Sequence, residues 1–191
     1  GNLKFDLKGV VSSGGKESVP TVIGLKEARI SFPVGGELML IGDAELKDKV
    51  FHKFKFSKLS FGETVVAGDV LRDGKGWQID LRGPELDLTA LLEKQQANGR
   101  KYVRGPPVRI GLNIDRIKLS EGKYLHQVSG RLRNDGLVWS NINLNSIFDE
   151  KKSLKNILPP KGLRKSLEIK LSPKAGKREL QVKSSDAGWI F

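Results

Sequence analysis

The sequence lacks several features on which common classes of protein depend. It contains no cysteine, which excludes disulfide frameworks and thiolate metal sites but does not identify a cellular compartment. No apolar run approaches the roughly 18 residues that a membrane-spanning helix requires, and no segment resembles a signal peptide. The chain begins at Gly1 directly in an alternating stretch and ends on the apolar Trp-Ile-Phe. We therefore expect it to be a segment of a longer protein.

Groups that support catalysis are also scarce. The two histidines, His52 and His126, lie in strand-like stretches without a second histidine or a carboxylate at the spacing of a metal site. There is no Gly-x-Ser-x-Gly motif and no phosphate-binding loop. The most suggestive acids are Asp80, Asp87 and Asp186, which we interpret as helix caps or turn residues. We expect no enzymatic activity, no cofactor and no metal.

The charge is strongly basic, with a net charge of +12 and an isoelectric point near 9.9. Basic residues are dense from Lys151 to Lys183, where no aromatic residue is interleaved. Binding of single-stranded nucleic acid usually combines cations with stacking aromatics. A solvated face that keeps the protein soluble explains the charge better than nucleic-acid binding, which stays a third alternative.

The composition favours a β protein. The 191 residues are 38% hydrophobic, which is enough to form a core. The 22 glycines and eight prolines lie mostly between short apolar runs. This pattern is typical of many strands joined by turns.

Two stretches repeat the same pattern about 60 residues apart. Leu59 to Leu81 and Leu119 to Leu144 each contain a Leu-Ser opening, an early glycine, a second glycine, a charged turn and a tryptophan. We interpret each as one antiparallel hairpin, and a fainter copy runs from Ile30 to Asp48. Such repetition indicates an elongated β array.

The clearest alternation of apolar and polar residues runs from Val108 to Ile114. After Asp115 and Arg116 the parity reverses, which predicts a bulge or a bend in a long strand. Similar alternation marks other stretches with one apolar face: Val50, Phe54 and Phe56; Trp77, Ile79 and Leu81; Val128 and Leu132; Leu167, Ile169 and Leu171.

Helix signals are few. Asp87 to Ala97 predicts a short amphipathic helix capped by Asp87 or Thr89, and Asn145 to Leu158 predicts a second, ended by two prolines. Each is expected to plug or flank the sheet. We interpret the segment 99–107 as a linker that divides the chain without a clear domain break. It separates an N-terminal β-repeat block, 1–98, from a second block, 108–191, within one continuous elongated fragment.

Three pieces of the sequence resemble the AsmA-like superfamily, in particular its C-terminal regions. They are the run from Trp77 to Leu92, WQIDLRGPELDLTALL; the pattern of strand, glycine, strand and turn before Trp77 and Trp139; and the Asp-Ala-Gly that begins at Asp186. Together they span most of residues 30 to 191. The sequence departs from the family where the helix after Asp-Ala-Gly is missing and where the second repeat lacks a Gly-Pro-Glu-Leu-Asp stretch.

The resemblance implies a periplasmic segment of an inner-membrane-anchored protein of a Gram-negative bacterium, similar to the bridge-like lipid transport proteins. In that family a curved, mostly antiparallel sheet forms an open trough that conducts lipid acyl chains between membranes. We thus expect an all-β fold with one or two short helices and a non-enzymatic role in phospholipid transport and outer-membrane homeostasis. Inner- and outer-membrane proteins are further expected partners.

The residues expected to line such a trough are the apolar members of the alternating stretches. They are Phe54, Phe56, Val108, Ile110, Leu112, Ile114, Val128, Leu132, Leu167, Ile169 and Leu171. The same residues fit the inner faces of a closed core equally well. A scaffold or interaction module that assists outer-membrane protein assembly, with a closed β core and no lipid, is therefore the main alternative. Trp77 and Trp139 would pack on their own turns or anchor a rim of the sheet.

Overall fold

The computed structural model describes residues 4–12, 21–32, 36–47, 50–97, 104–148 and 165–186. These residues form one eleven-stranded sheet in which the strands lie in sequence order, from β1 at one edge to β11 at the other. The strands are β1 Lys4–Ser12, β2 Thr21–Phe32, β3 Gly36–Lys47, β4 Val50–Phe61, β5 Thr64–Asp73, β6 Gly76–Asp87, β7 Val108–Ser120, β8 Lys123–Asn134, β9 Trp139–Phe148, β10 Lys165–Lys174 and β11 Lys177–Ser184. The sheet does not close into a barrel. This open, mostly antiparallel sheet confirms the predicted fold class.

The strands β6 and β7 run parallel, from Trp77 opposite Val108 to Asp87 opposite Lys118. Every other pair of neighbouring strands among the described residues is antiparallel. A parallel pair requires a crossover connection, and here the crossover contains the helix α1, Thr89–Ala97. The two sequence blocks therefore meet within one sheet.

The helix α1 confirms that the first predicted helix forms, but its apolar residues do not gather on one face as expected. The carboxylate of Asp87 accepts a hydrogen bond from the backbone N–H of Thr89 at 2.8 Å, so Asp87 caps the first turn as expected. Leu88 packs against the core, whereas Leu91 is 55% exposed. The helix therefore flanks the end of the sheet and leaves part of its apolar surface in solvent.

The second predicted helix is wrong over the residues that can be compared. Residues from Asn145 to Phe148 continue the strand β9, where Phe148 pairs with Leu125 of β8 and Lys165 of β10. The remainder of the predicted helix, 149–158, lies outside the described residues. Hydrogen bonding to a strand on each side favours an extended backbone here over the helix that the spacing of the apolar residues predicted.

The two repeats are equivalent, but the interpretation of each as a single hairpin is wrong. Each contains the end of one strand, a complete second strand and the start of a third. The early glycines Gly62 and Gly122 lie in two-residue turns with φ of 57° and 73°, a conformation that favours glycine. The second glycines, Gly68 and Gly130, lie within strands. A second turn follows each of them, before Trp77 and before Trp139, so each repeat contains two turns.

The predicted reversal of parity after Asp115 is confirmed. Ile114 and Ile117 are three residues apart, yet both are buried in the same core, at 1% and 2% exposure. On the neighbouring strand, Gln127 has φ of 49° and the register with β9 shifts between His126 and Ser129. This irregularity in β8 lies beside the reversal in β7, and such a bulge bends a sheet and increases its twist.

The core lies on one face of this single sheet. Ile114, Val128 and Phe148 are less than 2% exposed, although the described residues contain no second sheet. Burial of this extent requires the sheet to curl onto its own apolar face. The remaining buried members of the core are Phe56, Val66, Ile117, Leu125 and Leu167.

Candidate functional site

An uninterrupted row of apolar residues crosses the sheet from edge to edge. Each residue lies directly opposite the next on the neighbouring strand. We call it the open row: Val11, Ile23, Ala44, Phe54, Val70, Ile79, Ile110, Leu132, Ile142, Leu171 and Leu180. With about 4.8 Å between strands, ten spacings extend over roughly 48 Å. No polar residue interrupts the row.

A second row lies beside the open row and contains four glycines. It consists of Gly9, Leu25, Gly42, Phe56, Gly68, Leu81, Leu112, Gly130, Leu144, Ile169 and Val182. We call it the glycine row. A Cβ atom at Gly130 would lie 2.6 Å from the carbonyl oxygen of Asn143, and one at Gly68 would collide with that of Asp80. Glycine thus permits the close backbone approach that the curl of the sheet requires.

Burial increases from the open row towards the end of the sheet that carries α1. In the open row, the members from Ala44 to Leu171 are half-buried, and Leu180 is 61% exposed. Beyond the glycine row, Val66, Ile114 and Leu167 are at most 5% exposed. The apolar face is therefore closed at the α1 end and accessible at the other end.

The structure places all eleven residues of the predicted site on this one face. Phe54, Ile110, Leu132 and Leu171 belong to the open row, and Phe56, Leu112 and Ile169 to the glycine row. Ile114, Val128 and Leu167 lie in the closed part, and Val108 lies at the opposite end, next to Trp77. Four of the eleven are 5% exposed or less, so they form the core and not an accessible lining: Phe56, Ile114, Val128 and Leu167.

Four of the row residues that the sequence prediction missed connect residues that it named. Val70 on β5 and Ile79 on β6 connect Phe54 to Ile110, while Ile142 and Leu144 on β9 connect β8 to β10. Alternation in Asn141-Ile142-Asn143-Leu144-Asn145 was a visible signal for the last two. The register that aligns these strands depends on turn geometry, which the alternation does not contain.

Ionic contacts concentrate at the closed end. The ammonium of Lys118 contacts the carboxylates of Glu63 at 3.0 Å, Glu121 at 3.4 Å and Asp87 at 3.8 Å. The hydrogen bond with Glu63 is the main cause that raises the pKa of Lys118 well above its ordinary value. These contacts join two turns to the start of α1. Lys118 therefore stabilises the closed end and is not available to a headgroup.

A second ion pair lies beside this group. The guanidinium of Arg116 donates two hydrogen bonds to the carboxylate of Glu85, one of them at 3.1 Å to Oε1. The same guanidinium lies 5.4 Å from the centre of the Tyr124 ring. Paired in this way, Arg116 fixes the parallel strands β6 and β7 to one another.

The polar residues considered as catalytic candidates make contacts that support the fold. His126 is buried opposite Arg116 and Ile147. Asp80 lies within strand β6 and not at a helix cap or turn as predicted, and it accepts a hydrogen bond from the Gln78 amide at 2.8 Å. Ser184 Oγ accepts a hydrogen bond from the backbone of Asp186. Among the described residues, no group of three or more histidine, aspartate or glutamate side chains is placed to hold a metal ion.

The two tryptophans lie at the same end of the sheet. Trp77 shares the parity of Ile79 and Leu81 and contacts Phe51, with ring centroids 5.6 Å apart. Trp139 lies opposite Asn134, beyond a register shift in β9, and is 37% exposed. Both lie at a rim of the sheet, so the sequence repeat places aromatic side chains there.

Within the described part of the chain, no helix is long and apolar enough to cross a membrane. No protein-family model, no curated protein and no solved structure matches this chain.

Proposed function

We propose that this chain is a non-enzymatic segment that shields lipid acyl chains on its apolar face and lets them move along the open row. As the family resemblance implies, the segment would belong to an inner-membrane-anchored protein and would act in the periplasm of a Gram-negative bacterium. The observation that supports this proposal most strongly is the open row, which is apolar at every one of its positions and half-buried over most of its length.

The physical basis of the proposal is the match between the row and a hydrocarbon chain. Transfer of each CH₂ group from water to an apolar surface gains about 0.8 kcal/mol. An acyl chain occupies about half of the roughly 30 Å hydrocarbon core of a bilayer, which is shorter than the row. A lipid can therefore move along the row without crossing a polar side chain, while its headgroup remains in water.

A different observation favours a second candidate function. The edge strand β11 carries Leu180 at 61% and Val182 at 42% exposure, and an apolar edge strand can pair with a strand of another protein. In this alternative the chain is a scaffold whose core is closed, and an outer-membrane protein under assembly is the partner. This alternative predicts strand pairing at β11 and no lipid on the open row.

The test compares two neighbouring residues of β8 that face opposite sides. Leu132 belongs to the open row, and Arg131 lies on the outer face. We expect Leu132→Glu to reduce uptake of a fluorescent fatty acid by about tenfold or more, because a carboxylate in the row must be desolvated. Arg131→Glu serves as the matched control and should leave uptake within about twofold of wild type. Equal uptake by both variants would argue for the scaffold.

A further inference from the structure

The two rims of the sheet differ in charge. One rim contains the turns and strand ends nearest the open row; over the described residues it comprises 46–47, 50–51, 72–77, 104–109, 133–140 and 173–178. It carries nine cationic and two acidic residues, a net charge of +7. The rim at the α1 end, 4–5, 31–32, 36–37, 60–65, 86–97, 118–124, 147–148, 165–166 and 183–186, carries six cationic and six acidic residues, so its net charge is zero. We call the first of these the basic rim.

The acidic residues of the basic rim do not neutralise it. Asp73 pairs with Arg109 at 2.9 Å. The carboxylate of Asp135 accepts hydrogen bonds from the backbone N–H groups of Leu137 and Val138 at 2.9 and 3.0 Å, so it closes the loop between β8 and β9. Both acids are thus engaged within the rim, and seven positive charges remain in excess.

Some of these cations lie where they oppose one another. Lys174 and Lys177 are directly opposite across the β10–β11 turn, and Arg109 is opposite Arg133 on the neighbouring strand. Like charges in such positions destabilise a sheet. Two of the four have an acid partner: Arg109 pairs with Asp73, and Lys174 pairs with Glu179 beyond the rim at 2.9 Å. Repulsion between like charges does not stabilise the sheet, so the excess of positive charge is available to an external anionic partner.

Exposed apolar and aromatic side chains accompany the cations. Phe51 is 36% and Trp139 is 37% exposed, and Val50 and Leu137 are each 46% exposed. Val50 and Phe51 begin the strand β4, directly after the connection from β3. Leu137 lies in the connection between β8 and β9, and Trp139 begins β9. Tryptophan together with lysine and arginine is characteristic of surfaces that lie in the headgroup region of a bilayer.

We infer that the basic rim is a docking surface for an anionic lipid bilayer, which would place the open row next to the headgroups. The charge complementarity favours an anionic surface, and the exposed Trp139 and Leu137 favour one with an apolar interior. This inference rests on the proposed function in one respect: if lipid binds in the open row, docking would let acyl chains enter the row across the rim. Docking itself requires no lipid in the row.

The test is flotation of the protein with vesicles of equimolar phosphatidylglycerol and phosphatidylcholine, compared with phosphatidylcholine alone, in about 0.1 M salt. The rim variant carries Lys75→Glu in a turn and Lys177→Glu at the first residue of β11, both exposed. The control carries Lys123→Glu at the opposite rim. Wild type should bind the anionic vesicles, the rim variant about thirtyfold more weakly and the control within about twofold. Trp139→Ala should also weaken binding.

The inference is overturned if wild type does not bind the anionic vesicles, if the rim variant and the control bind equally, or if a single-stranded oligonucleotide displaces the protein from the vesicles. Fatty-acid uptake in the absence of vesicles separates docking from lipid shielding. A rim variant that takes up fatty acid like wild type but does not float confirms docking by the rim. Normal flotation of the Leu132→Glu variant would show that failure of shielding leaves docking intact.

Discussion

Phe56 on β4 lies directly opposite Gly68 on β5, and its Cζ atom is 2.9 Å from the point where a Cβ of Gly68 would lie. The aromatic ring thus occupies the volume that the missing side chain provides. The same alternation of glycine with large apolar residues recurs at Gly42 and Gly130. The curl of the sheet therefore depends on glycine at defined positions of the glycine row.

The first prediction concerns this curl. Gly68→Ala should lower the free energy of unfolding by about 1–3 kcal/mol, because the added methyl group collides with the backbone of β6. Gly105→Ala is the control, since a Cβ there has no heavy atom within 4 Å, and should change stability by less than about 0.5 kcal/mol. Urea denaturation followed by circular dichroism measures both. Equal stability of the two variants would contradict the tight curl.

The second prediction separates the closed part of the apolar face from the open row. Phe148 is 0% exposed, so Phe148→Ala should lower the free energy of unfolding by about 3–5 kcal/mol. Leu171 is half-buried at the accessible end, and Leu171→Ala should cost about 1 kcal/mol, in proportion to the smaller area it buries. Thermal or urea unfolding compares the two. A large loss for Leu171→Ala would indicate a face that is closed throughout.

The third prediction concerns Lys118, which is 8% exposed and bound by three carboxylates. Its pKa in the folded protein lies above the ordinary value of 10.5. Its contribution to stability is therefore complete below pH 10.5 and declines as the pH rises towards the folded-state pKa. Lys118→Met should be less stable than wild type at pH 8, and the difference should shrink above pH 10.5. Unfolding midpoints at several pH values measure it.

The control for this prediction is Lys123→Met, an exposed lysine of the adjacent turn. Its stability should follow that of wild type at each pH. A difference between wild type and Lys118→Met that stays constant from pH 8 to beyond pH 10.5 would mean that the charge of Lys118 does not stabilise the closed end.

Much of this fold can be predicted from the alternation of apolar and polar residues, because a strand with one buried face must place apolar residues at every second position. Val108 to Ile114 and the reversal before Ile117 were predictable for this reason. The alignment of Phe54 with Val70 and Ile79 was not, since register is set by turns and bulges. The helix predicted from Asn145 is wrong over Asn145 to Phe148, because these residues pair with β8 and β10 and therefore continue the strand β9.

The accessible end of the apolar face is the part that sequence alone could not identify. Leu171 and Leu167 have the same residue type and the same parity in β10, yet the first is half-buried and the second 5% exposed. Leu167 belongs to the buried cluster that also contains Phe148 and Val128, whereas Leu171 lies outside it. Burial of this kind depends on contacts far apart in the chain.

The central claim is that acyl chains occupy the open row. The most direct measurement is native mass spectrometry of the purified protein followed by organic extraction of whatever is bound, with the Leu132→Glu and Arg131→Glu variants in parallel. Wild type and Arg131→Glu should retain phospholipid at a defined stoichiometry, and Leu132→Glu should lose it. A folded wild-type protein without lipid, or equal lipid on all three proteins, would contradict it.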